Sequence, residues 1–115
     1  MKSHPLAFID FETTGHDPVR CVDGVLVPWH EIIDIGCVMV DPASRKAVDE
    51  FECKVKPLHP ERCIPNIINH YPERAAAGEW DGAVDLKEGI GDLLAFLRFW
   101  KYTGLAVPGG QNFFF

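Results

Sequence analysis

Apolar residues come in short blocks separated by turn formers, and the blocks differ in period. Residues 6–10, LAFID, form a brief apolar run closed by an acid. That pattern predicts a buried strand whose polar end reaches the rim of a sheet. Turn formers then dominate as far as His30: Asp17-Pro18, Asp23-Gly24 and Pro28. Asp23-Gly24 between Cys21-Val22 and Val25-Leu26-Val27 predicts a tight hairpin. Residues 31–40, EIIDIGCVMV, predict a second, longer strand. After a turn over 41–44, residues 47–56 place Phe51, Cys53 and Val55 at a period of two, the mark of a half-buried strand. A short turn between two strands predicts antiparallel neighbours.

The period then changes. Residues 57–66 read as proline-punctuated loop, and a short helix is expected from Pro72 to Gly78. The main helix is expected over 86–102. Asp85 suits the N-cap, with Glu88 in the capping-box position. Ile90, Leu93, Leu94, Leu97 and Trp100 share one helical face. Gly89 and Gly91 weaken its first turn, and Gly104 is the expected stop. Residues 105–107 predict a last short strand. A meander followed by a helix and a further strand implies an α/β layered domain with a right-handed crossover.

Composition narrows the class. A chain of 115 residues, 47% hydrophobic and 24% charged, suits one globular domain or a piece of one. No apolar stretch approaches the roughly 18 residues of a membrane span, and the N-terminus lacks a signal-peptide core. A cytoplasmic location with no membrane partner is therefore expected. Cys21, Cys37, Cys53 and Cys63 form no C-x-x-C pair and read as free, mostly buried thiols. The net charge of −6 excludes a general nucleic-acid sponge. It leaves room for an enzyme that grips one strand end through metal ions, because bound cations reverse the local charge of a carboxylate site. The end on Phe113-Phe114-Phe115 is apolar where a natural terminus is usually polar, which suggests that the chain continues.

Asp10-Phe11-Glu12 carries the candidate chemistry. Residues two apart on a strand face the same side, so Asp10 and Glu12 present paired carboxylates. Spacing alone reads more often as a solvated or turn-capping pair. A divalent hard cation is the natural partner of two adjacent carboxylates, and two such ions can stabilise both oxygens of a phosphodiester displacement.

The string FIDFETTG, Phe8 to Gly15, resembles the first motif of the DEDD 3′–5′ exonuclease superfamily, which includes ribonuclease T and the proofreading subunit of bacterial replicative polymerase. The family pattern Asp-x-Glu-x-x-Gly is matched by Asp10, Glu12 and Gly15. Residues 31–41 and 54–57 are similar to the family's second and third strands. VPGGQNFFF lies where the family has its second motif, with Asn112 and Phe115 in the Asn and Phe places and Gln111 replacing His.

The resemblance implies a ribonuclease H-like mixed sheet: an antiparallel three-strand meander, a helix and a parallel fourth strand. It implies that residues 1–115 are the N-terminal part of a single exonuclease-like domain, incomplete here. Asp10 and Glu12 would be the catalytic metal ligands of a Mg2+ or Mn2+ two-metal site, also incomplete. Thr13, Thr14 and Gly15 would face the 3′ end of single-stranded DNA or RNA. The reaction would be metal-assisted attack of water on the last phosphodiester. The remaining acidic ligands and the general base would lie beyond residue 115, so the chain alone should be inactive or weak. Many members of this family dimerise, so a homodimer is compatible.

Other residues read more plainly. Asp34, between Ile33 and Ile35, could face the nucleotide but is expected rather to face solvent or serve structure. His59, Cys63 and His70 match no closed zinc pattern. His16 reads as an exposed loop histidine. Phe96, Phe99, Trp100 and Tyr102 read as core and helix surface, while Trp29 and Trp80 are loop tryptophans able to stack a base. Two alternatives remain at this level: a catalytically inactive exonuclease-like binding module or relic, and an unrelated α/β protein in which FIDFETTG is coincidental.

Overall fold

Strict alternation builds the first strand. In the computed structural model, which describes residues 4–65, 69–102 and 104–106, β1 spans Leu6–Thr13. Ala7, Ile9 and Phe11 are buried, while Phe8 and Asp10 are exposed and Glu12 is half-buried. The strand runs past Asp10, where the sequence pattern ends it, so Asp10 and Glu12 both lie on regular β-structure. β2 (Val19–Val22) and β3 (Val25–Pro28) form a separate two-stranded hairpin. Its turn residues Asp23 and Gly24 have φ of 51° and 80°, the positive values that a two-residue hairpin turn requires.

β4 (Ile32–Val40) and β5 (Ala47–Lys54) complete the meander, and β6 (Gly104–Ala106) joins the far side. The sheet order is β5-β4-β1-β6. β4 is antiparallel to both β1 and β5, and β6 is parallel to β1. This is the expected mixed sheet: an antiparallel meander, then a helix, then a parallel fourth strand. Gln111, Asn112 and Phe115 lie outside the described residues.

A short helix, α1, covers Tyr71–Ala76, and the main helix, α2, covers Leu86–Trp100. Asp85 caps α2 as expected, accepting the Glu88 N–H at 2.8 Å. The buried face of α2 is the expected one in Ile90, Leu93, Leu97 and Trp100, and departs from it at Leu94. Gly89, Leu93 and Leu97 are buried, with Ile90, Phe96 and Trp100 packed beside them, whereas Leu94 is 43% exposed. Contact with the sheet rotates that face slightly, so that it takes in Gly89 and Phe96 and leaves Leu94 at its edge. The helix also ends sooner, at Lys101 with φ of 48°, because that residue takes the left-handed cap expected of Gly104. Gly104 opens β6 instead, opposite Leu6.

α2 covers one face of the sheet over Ile9, Phe11, Ile35, Cys37 and Val55. A second cluster, Ile33, Tyr71 and Trp80, anchors α1 and the following loop at the end of β4. Among the described residues no helix is long and apolar enough to cross a membrane.

Candidate active site

Residues directly opposite on antiparallel strands share a face, so the register defines the surface away from α2. Glu12 lies opposite Asp34, and Asp34 opposite Lys54. One step along, Asp10 lies opposite Gly36, and Gly36 opposite Glu52. Gly36 carries no side chain, which leaves a trough between the two acids. These residues and Arg74 line one open cleft.

Two cations balance the acids. Lys54 Nζ donates to Asp34 Oδ2 and to Glu52 Oε1, each at 2.7 Å. Burial raises the Asp34 carboxyl above the ordinary aspartate range, against the pull of Lys54. Asp34 Oδ1 is buried with no hydrogen-bond partner among the described residues. Asp34 thus faces the cleft beside Glu12 rather than open solvent. Arg74, from α1, donates to Glu12 Oε2 at 3.0 Å and to Glu79 Oε2 at 2.9 Å. Both cations sit near the Trp80 ring, at 5.0 Å for Lys54 and 5.1 Å for Arg74. Trp80 is itself fixed by its indole N–H to Ile33 O at 2.8 Å and by edge-on contact with Tyr71. It is therefore a buried anchor beneath the cations and not a free stacking surface.

The turn after β1 is braced from within. The Thr13 hydroxyl donates to Gly15 O at 2.7 Å. Thr14 is fully buried; its Oγ1 accepts the Glu31 N–H at 3.0 Å and meets His30 Nδ1 at 3.1 Å. Its side chain has no face toward a ligand. Gly15 is required by close approach: a Cβ there would lie 2.4 Å from the His30 ring. The Glu31 carboxylate holds the neighbouring loop by accepting the Leu58 and His59 N–H groups, both at 2.8 Å. Burial, reinforced by Arg20, lowers the His30 pKa.

The donor set suits a hard divalent cation in kind. Asp10 and Glu12 offer oxygens on one face, and Asp10 is exposed. In number the set is short. Among the described residues no group of three potential ligands is close enough to hold a metal ion, and Glu12 already has Arg74 as its counterion.

Spacing within β1 was enough to pair Asp10 with Glu12. Lys54 and Arg74 were missed, and Asp34 was expected to face solvent or serve structure. Asp34 had a usable signal, since its period on β4 sets it on the face opposite buried Ile33 and Ile35. Arg74 had none, because it reaches Glu12 from 62 residues away.

The chain matches the RNase_T family, described as Exonuclease, over residues 7–115. No curated protein matches it. Among solved structures, it is similar to a full-length 3′-exonuclease, with 18% identity and a TM-score of 0.61, covering 96% of this chain and 48% of that one. It is also similar to the nuclease domain of 3′hExo, a DEDDh family member bound to rAMP, with 19% identity and a TM-score of 0.58, covering 93% and 52%. A third structure, of histone mRNA stem-loop recognition by 3′-exonuclease, has 19% identity and a TM-score of 0.60, covering 95% and 38%. The shared feature is the fold, and the chain spans about half or less of each of these proteins.

Proposed function

The chain belongs to the RNase_T exonuclease family, and from that membership we propose that it supplies the first carboxylate pair of a metal-dependent 3′–5′ exonuclease acting on single-stranded DNA or RNA. The observation that carries this reading is the placement of Asp10 and Glu12, side by side on β1 and open to a cleft. The similarity to 3′-exonuclease structures supports the same reaction class. Because the chain spans 48% and 52% of two of those proteins, we take residues 1–115 as the N-terminal part of one nuclease domain. The unpaired cysteines fit a cytoplasmic setting.

In this reading Asp10 and Glu12 hold Mg2+ or Mn2+, with further ligands drawn from outside the described residues. When bound, the cation supplies positive charge against the charge that develops on the scissile phosphate. The chain's own residues orient and position. Thr13 and Gly15 shape the backbone that meets the terminal nucleotide. Thr14, buried, holds that turn against His30 and Glu31. Arg74 neutralises Glu12 and would compete with a cation for its carboxylate.

The test is Mn2+ titration of the complete protein by electron paramagnetic resonance, with Asp10→Asn and Glu12→Gln beside the wild type. Site binding that disappears in both variants is the expected result. Binding indifferent to both would remove the reading. Digestion of a 5′-labelled single strand by the complete protein, giving 3′ shortening and nucleoside 5′-monophosphates, then tests the reaction. The Glu12–Arg74 pair also favours a second reading, a strand-binding module without hydrolysis. That reading predicts strand binding with no Mn2+ site.

A further inference from the structure

An independent cluster sits beyond the turn that ends β1. Trp29 follows β3, and two guanidinium groups lie on its ring: Arg20 Cζ is 4.3 Å and Arg62 Cζ 4.0 Å from the centroid. Arg20 comes from the hairpin and Arg62 from the 3-10 turn Pro60–Arg62, so distant segments converge on one indole. Arg62 Nη1 also donates to Pro28 O at 3.2 Å, which fixes its side chain. Neither guanidinium has a carboxylate within ion-pair distance among the described residues, whereas Lys54 and Arg74 each have two. This occurs in a chain with 17 acids and 11 lysines and arginines.

Like charges sharing one ring repel. With centroid distances of 4.3 and 4.0 Å, the two lie within the Debye length of about 10 Å at 0.1 M salt, so salt does not fully hide the repulsion. Burial lowers the pKa of the neighbouring His30, with Arg20 and Arg62 adding to that effect and Asp17 opposing it, and His30 packs on Gly15 at the end of the candidate site. Arginine forks match phosphate oxygens, and the indole holds them apart as a rigid spacer. With the guanidinium groups on its ring, Trp29 is poorly placed to stack a base. The site therefore addresses the backbone of a strand and not its bases.

We propose that Arg20 and Arg62, spaced by Trp29, bind backbone phosphates of a single nucleic-acid strand upstream of its 3′ end. The assignment rests on the exonuclease reading for the nature of the strand. It adds a positive track leading toward an otherwise acidic cleft. Phosphate contacts position a strand without reading sequence, so binding is expected to be indifferent to base identity.

The experiment measures fluorescence anisotropy of a 5′-fluorescein oligothymidylate with the full chain in EDTA, where no hydrolysis competes, from about 50 to 200 mM KCl. Each phosphate contact on a single strand contributes about 0.7 to the slope of log affinity against log salt. Arg20→Gln with Arg62→Gln should lower that slope by about 1.4, so the fourfold rise in salt weakens the variant about sevenfold less than wild type. Arg20→Lys with Arg62→Lys keeps the charge and should keep most of the slope. An unchanged slope in the glutamine variant overturns the proposal. Equal losses in the lysine and glutamine variants also overturn it, because they would mark the arginines as braces for the hairpin. If the wild-type chain binds no strand in EDTA, this inference fails, while the exonuclease reading still stands or falls on Mn2+ binding and digestion by the complete protein. Strand binding with an unaltered slope leaves that reading standing and removes only this inference.

Discussion

Replacing Gly15 by alanine tests how the turn after β1 is held. The added Cβ would sit 2.4 Å from the Cε1 and Nε2 atoms of His30, where carbon contacts are comfortable at about 3.5–4.0 Å. The imidazole must therefore retreat by about 1 Å or more. Its Nδ1 is already 3.1 Å from Thr14 Oγ1, so retreat breaks that hydrogen bond. Losing the bond costs about 1 kcal/mol and overpacking about 1–3 kcal/mol. Alanine recovers about 0.4–1 kcal/mol by stiffening the unfolded chain. The net loss is about 1.5–3 kcal/mol. Urea unfolding followed by tryptophan fluorescence reads it directly. The decisive comparison is the double-mutant cycle with His30→Ala, which removes the ring that the Cβ would strike. There Gly15→Ala should be within about 0.5 kcal/mol of neutral, giving a coupling near 2 kcal/mol. An equal loss in both backgrounds would refute the close-approach argument.

Arg74→Gln removes the resident counterion of Glu12. The pair is about one-third exposed, so its contribution is small, and Mn2+ affinity measured by paramagnetic resonance should rise about three- to fivefold. No rise would show that Arg74 does not compete for the carboxylate. Stability should also depend on His30. Its folded pKa lies below the ordinary 6.5, so as pH falls the unfolded chain takes the proton first, and unfolding free energy declines below about pH 6.5. His30→Asn should flatten that part of the pH profile, and a wild-type profile already flat there would contradict the lowered pKa of this half-buried imidazole. Thiol labelling should separate the cysteines. Cys21 is exposed and reacts first, whereas Cys37 is buried with its pKa pushed up to about 11 and reacts only on unfolding. Mass spectrometry of partly labelled protein checks the order.

Local rules carried the sequence reading a long way, where the determining contacts are near in sequence. The period of two over residues 6–12 put Asp10 and Glu12 on one face. The Asp-Gly pair specified the hairpin through two positive φ values, and Asp85 with Glu88 marked the start of α2. Each depends on backbone geometry that a few residues set among themselves. Periodicity was ambiguous on α2, where Leu94 and Phe96 both fit an apolar stripe and only the shape of the sheet decided between them. The surroundings of the carboxylates were decided still more by tertiary structure. Strand alternation says which way Asp34 points, but only the β1–β4–β5 register sets it between Glu12 and Lys54. Arg74 meets Glu12 across 62 positions, and Trp80 reaches Ile33 across 47. The fit of Gly15 against His30 and the meeting of Arg20 and Arg62 on Trp29 are of the same kind. The sequence by itself determined that Asp10 and Glu12 share one face of a strand. Chain packing decided which charges stand beside them, because long-range register and close contact leave no periodic trace in the local order of residues.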